Sequence, residues 1–162
     1  MNHHSQLAHQ VIEEVQKAVI GKQDCIEKVM MAILSSGHIL LEDIPGVGKT
    51  TMALAFSRVL NLKEKRLTFT PDVLPADLTG FTMYRKETNK FYYQPGALMC
   101  NLFLGDEINR TSPKTQSALL EVMEEGQVSV DGVTHALPKP FIVLATQNPA
   151  GSAGTNYCPS LS

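Results

Sequence analysis

Apolar residues recur at three- and four-residue intervals along three stretches near the N-terminus. Leu7, Val11, Ile12, Val15 and Val19 share one face of a helix expected over Ser5 to Ala18 and broken at Ile20-Gly21. Ile26, Val29, Met30, Ile33 and Leu34 mark the face of a second helix, which Gly37 ends, and Met52, Ala55, Phe56 and Val59 mark a third. Between the second and third, His38 to Glu42 (HILLE) is an apolar run of strand length, followed by a turn over Asp43 to Gly48.

The period then changes. Residues 65–70 (KRLTFT) alternate as a strand does. Thr82 to Tyr84 and Phe91 to Tyr93 flank a polar ETNK tip, predicting a small hairpin outside the main sheet. Leu102 to Leu104 is a short buried strand. Ser112-Pro113 supplies an N-cap and a first-turn proline for a helix to about Glu125, whose Lys114, Glu121, Glu124 and Glu125 form a solvated face. Asp131-Gly132 between Gln127–Val130 and Val133–Leu137 predicts a second hairpin. Phe141 to Thr146 (FIVLAT) is a further buried strand. Strands alternating with helices imply an α/β fold with a mostly parallel sheet.

Bulk properties narrow the function classes. A chain of 162 residues suits one domain with its own core. Its net charge of -2 offers no general attraction for nucleic acid or anionic membranes, and no apolar run is long enough to span a bilayer. The polar N-terminus lacks a leader pattern. Cys25, Cys100 and Cys158 have no metal-like spacing and read as free or buried thiols of a cytoplasmic protein. His3 and His4 have no framing carboxylate or cysteine, so a frayed terminus explains them better than a metal site. Tyr92 and Tyr93 read as packing or partner-contacting aromatics, not as a stacking platform for bases.

Chemistry enters at the first strand–turn–helix unit. In PGVGKT, Pro45, Gly46, Val47 and Gly48 form a loop whose backbone N–H groups can converge on an anion at a helix N-terminus. Lys49 can reach the β/γ-phosphates, and the hydroxyl of Thr50, followed by Thr51, can ligate Mg²⁺. The strict phosphate-loop pattern has glycine where this chain has Asp43. A second element, LFLGDE, ends an apolar strand in two carboxylates. Asp106 is expected to hold Mg²⁺, usually through water, and Glu107 to orient and deprotonate the attacking water. A third, Thr146-Gln147-Asn148-Pro149, offers a polar group beside the γ-phosphate in Asn148. Each element alone has a bland reading: a glycine turn, an acidic strand end, an Asn-Pro turn. Their order, loop then strand-DE then strand-N, favours a nucleotide site using ATP and Mg²⁺.

On those residues the chain resembles the MoxR family of AAA+ ATPases. LLEDIPGVGKT, RLTFTPDVLPADLTG, FYYQPGAL, LFLGDEINRTSPKTQSALLEVMEEGQVSVDG and FIVLATQNP fall in the family's order over roughly residues 6–154. In this family aspartate is common at the position of Asp43. The resemblance implies a P-loop three-layer sandwich with two β-hairpin inserts, one near Lys86 and one at Asp131-Gly132. It implies that Asn148 serves as sensor 1, that Val19 and Ile20 lie near the adenine, and that ATP binds between subunits of a homo-oligomeric ring, expected to be a hexamer. Family members remodel or mature protein complexes, often beside proteins with von Willebrand A domains.

Past Gly154 the sequence departs from the family pattern. The family continues with LPExQLDRF, the arginine finger, a further strand and a helical lid; this chain reads TNYCPSLS. The expectation is a partial AAA+ domain over 1–154 and a non-family tail over 155–162, without the lid, of the kind a frameshift produces. An arginine finger contributes roughly 10³–10⁵ in kcat, so slow turnover is expected. With the family strand order, HILLE would form an exposed apolar edge, favouring poor solubility or marginal folding. The competing readings are a nucleotide-binding fragment that docks into or poisons full-length rings, and a remnant without function. A P-loop kinase fits least, because it would not combine DE with TQNP.

Overall fold

The computed structural model describes residues 3–19, 23–42 and 48–147, without the side chains of Glu42 and Lys49. Two helices lead, α1 (His3–Ala18) and α2 (Gln23–Ser35), before strand β1 (Ile39–Glu42) and helix α3 (Lys49–Val59). There follow β2 (Glu64–Thr68), the short helix α4 (Pro75–Thr79), the strands β3 (Gly80–Arg85) and β4 (Lys90–Pro95), and β5 (Leu102–Asp106). A 3₁₀ turn (Ile108–Arg110) leads into α5 (Pro113–Glu125), then β6 (Gln127–Val130), β7 (Val133–Ala136) and β8 (Ile142–Gln147).

The central sheet has four parallel strands in the order β1-β8-β5-β2. Parallel strands need crossovers, and these bury both faces of the sheet, which explains the unbroken apolar runs in β5 and β8. The two-residue period then sorts those runs between two cores. Leu102, Leu104, Ile142 and Leu144 meet Val15, Ile26, Val29 and Phe56 from α1, α2 and α3. Phe103, Val143 and Ala145 point the other way, toward Phe69, Leu78, Leu119 and Val122 from α4 and α5 and their flanks. Each fully buried Leu, Ile or Phe contributes roughly 1.5–3 kcal/mol relative to exposure. The result is the three-layer α/β sandwich that the alternation of elements implies.

The expected helices form, with local differences. Leu34 is 65% exposed and Leu7 46%, so both leave their apolar faces, while Ala32 is buried instead. Gly37 closes α2 through its N–H on the carbonyl of Ala32, but Ser36 carries the left-handed φ of 55°. Helix α4 has no counterpart in the periodicity, since five residues are too few to show one. Its signals are Pro75 at the first helical position and the Asp77 carboxylate accepting from the N–H of Leu74 at 2.8 Å.

Both hairpins form two-stranded sheets apart from the main one. The first is longer than its apolar residues suggest, with Gly80 paired to Pro95 and Arg85 to Lys90. The second turns at Asp131 and Gly132, with φ of 51° and 77°, the twin positive values that favour Asp-Gly. The rings of Tyr93 and His135 stack with centroids 3.7 Å apart, locking one hairpin to the other, and Arg85 lies 4.7 Å over Tyr92. Tyr92 and Tyr93 are therefore packing aromatics here.

Candidate functional site

Helix α3 begins at Gly48, whose φ of 64° and ψ of 13° are left-handed. A Cβ there would meet nothing within 4 Å, so the backbone conformation, not space, calls for glycine. No side chain caps the helix. The first N–H groups of a helix have no partner within the helix itself and, with the helix dipole, favour an anion there. Lys49, Thr50 and Thr51 form the first turn, with Thr50 half-buried and Thr51 exposed.

Strand β5 delivers the two acids. Parallel register sets Arg66 opposite Leu104, and Leu104 opposite Leu144. By the two-residue alternation, Arg66, Asp106 and Thr146 then share the face on which α3 packs. Arg66 grips one carboxylate oxygen of Asp106 with Nε and a terminal nitrogen, both at 2.7 Å. The hydroxyl of Thr146 donates to the other at 3.4 Å. Next in the chain, Glu107 adopts φ 57° and ψ 48°. Its N–H donates to Thr146 Oγ1 at 3.0 Å, and its carboxylate pairs with Arg110 at 2.8 Å. Gly105, just before the acids, leaves room for aromatic rings: a Cβ would sit 2.9 Å from Phe69 and 3.1 Å from Phe103.

Asp106, Glu107 and the start of α3 therefore lie at the carboxyl ends of parallel strands, where open α/β sheets bind ligands. Val19 directly follows α1 and is 6% exposed within the α1–α3 core. Ile20, Pro45, Gly46, Val47 and Asn148 lie outside the described residues, as do Asp43 and the tail from Thr155. The sequence gives the partners Arg66 and Arg110 no role in the site, and there it names Thr146 only as the first residue of the run that ends at Asn148-Pro149. Arg110 could have been found from its i,i+3 spacing to Glu107. Arg66 and Thr146 belong to other strands, and only register brings them in.

Away from the strand ends, Ile39, Leu40, Leu119 and Met123 help to line an apolar cavity of about 20 Å³ between α5 and the sheet, too small and too apolar for a nucleotide. No group of three or more His, Cys, Asp or Glu residues is arranged to hold a metal among the described residues. No described helix is long and apolar enough to cross a membrane.

A mostly parallel sheet between two helical layers, with a glycine-started helix and an acid pair at the strand ends, defines an α/β fold of the AAA type. Residues 38–161 match the model of the ATPase family associated with various cellular activities (AAA). YeaC, an uncharacterised protein of Bacillus subtilis, is 51% identical over 153 residues, and the chaperone MoxR1 of Mycobacterium tuberculosis 43% identical over 148. A solved structure of a candidate ATPase from Cytophaga hutchinsonii superposes with a TM-score of 0.82 at 42% identity over 93% of this chain. The chain belongs to the AAA family, in its MoxR group. It covers 94% of its own length in the YeaC match but 48% of YeaC, and it spans 39% of MoxR1 and 46% of the Cytophaga chain.

Proposed function

We propose that this chain carries the ATP-binding and ATP-hydrolysing core of a MoxR-type chaperone-like ATPase. The observation that carries the reading is the placement of Asp106 and Glu107, at the end of β5, on the side of the sheet from which α3 starts at an uncapped Gly48. In this reading the loop Pro45 to Gly48 and the first turn through Thr51 hold the phosphates, and Lys49 neutralises their charge. Val19 and Ile20 border the base, and Asn148 sits beside the γ-phosphate.

The donor set fits magnesium. Thr50 and Asp106 offer one hydroxyl and one carboxylate, the sparse hard-oxygen set that Mg²⁺ completes with water and phosphate oxygens. Bound there, the ion would neutralise charge on the transferred phosphoryl group. Glu107 would take the proton of the attacking water as ADP leaves. Around this core the reading places a cytoplasmic homo-oligomeric ring, a hexamer with ATP between subunits, that remodels or matures protein complexes beside von Willebrand A partners.

A second reading, nucleotide binding without turnover, draws support from the two ion pairs. Arg66 and Arg110 each neutralise one acid of the pair, and an acid so engaged is a poor ligand or base until released. Titration with a fluorescent ATP analogue tests the common part: binding should be lost in Lys49→Ala. Phosphate release then separates the readings. The hydrolytic one expects Glu107→Gln to abolish release, and an unchanged rate in that variant would remove Glu107 from its role.

A further inference from the structure

Main-chain pairing between β5 and β8 runs from Leu102 opposite Ile142 to Gly105 opposite Ala145. One residue further on, a side chain continues the connection. Thr146 Oγ1 accepts the N–H of Glu107 at 3.0 Å and directs its own proton to Asp106 Oδ1 at 3.4 Å. A hydroxyl has one proton and two lone pairs, so a single atom can serve both acids at once. Thr146 is 4% exposed, which leaves little access for water to replace it.

Glu107 needs that partner. A non-glycine residue in the left-handed region persists only where its surroundings determine it, and a backbone N–H turned away from the ladder must find an acceptor. We infer that Thr146 is a positioning residue of the nucleotide site: its hydroxyl sets the backbone of Glu107 and the carboxylate of Asp106 together. It lies two residues before Asn148, so a shift of that strand end would move both acids as a unit. The inference rests on the ATPase reading above and deepens it.

Two variants test it on the full chain. Thr146→Val keeps the shape and removes the hydroxyl; Thr146→Ser keeps the hydroxyl. The first readout is amide hydrogen exchange at Glu107 in the nucleotide-free chain, expected to lose protection in the valine variant and to keep it in the serine variant. The second is the tightening of fluorescent ATP-analogue binding by Mg²⁺. Outer partners of metal-site carboxylates typically contribute 10–100-fold, so about a tenfold loss is expected in Thr146→Val, restored in Thr146→Ser. Where turnover is measurable, kcat should fall with little change in KM. Should the valine variant not fold, Thr146→Cys replaces it with the same expectation. Glu107 still protected in Thr146→Val, or unprotected with Mg²⁺ tightening unchanged, overturns the role of Thr146 alone. A wild-type chain that binds no ATP analogue overturns the ATPase reading, and this inference with it.

Discussion

At Asp106, two cations are set to compete for one carboxylate. Arg66 already occupies one oxygen, and the proposed Mg²⁺ would need the same group. The arginine side chain is 50% exposed, and pairs of that kind are worth about 0–1 kcal/mol in stability. Arg66→Ala should therefore lower the unfolding free energy measured in urea by no more than about 1 kcal/mol. It should also lower the Mg²⁺ concentration needed to tighten ATP-analogue binding, because the acid loses a competitor. An unchanged Mg²⁺ requirement would mean that Arg66 and the ion use different oxygens. Gly105 shows the opposite case, where space alone decides. The rings of Phe69 and Phe103 leave no room for a methyl group, and overpacking a core typically costs about 1–3 kcal/mol. Gly105→Ala should lose that amount in chemical denaturation. Phe103 stands two residues before the glycine on the same face of the strand, but Phe69 lies outside the run LFLGDE and is brought in only by packing.

Secondary-structure elements were legible where a local rule was strong. Ser112 accepts the N–H of Thr115 at 3.2 Å with Pro113 at the first helical position, as the dipeptide predicts. Ser112→Ala should cost about 1 kcal/mol by urea unfolding, the usual worth of such a cap. The Asp-Gly hairpin formed for the same reason: the turn chemistry is complete within two residues. Legibility failed where an element depends on distant atoms. The apolar face of α2 extends to Leu34 by periodicity, yet Leu34 stays in solvent while Ala32 is buried and Ile33 packs against the core. Strands β3 and β4 extend past their apolar residues because ladder bonds, once started, continue through Gln94 and Pro95 at one end and Lys90 at the other.

Across the whole molecule, His38 joins parts that are far apart in sequence. Its ring accepts the N–H of Val143 at Nδ1 and donates from Nε2 to the carbonyl of Met123, each at 3.0 Å. Phe141 packs against it edge-on at 5.7 Å. One imidazole thus fastens the start of β1 to β8 and to the end of α5. The bond from Val143 requires a neutral Nδ1, and burial lowers the pKa of His38 below 6.5, with the Met123 carbonyl opposing more weakly. The unfolded chain then binds the proton more readily than the folded one. The stabilisation is full above the ordinary histidine pKa of ~6.5 and is lost as pH falls toward the lowered folded value. The midpoint of thermal unfolding should drop between ~pH 7.5 and ~pH 5.5, and His38→Asn, which keeps an acceptor but cannot titrate, should flatten that slope. The same strap matters for the sheet, because β1 has no second strand beside it among the described residues.

Local rules in the chain alone determined a good deal: the order of strands and helices, the two hairpins, the α/β class, the acid pair after an apolar strand and the glycine that starts α3. Each follows from a period, a cap or a turn that is complete within a few residues. The tertiary structure alone decided what holds Asp106. Arg66 and Thr146 meet Asp106 only because the register of three parallel strands puts positions 66, 106 and 146 on one face. Register is a property of whole strands packed between two helical layers, and no window of sequence contains it.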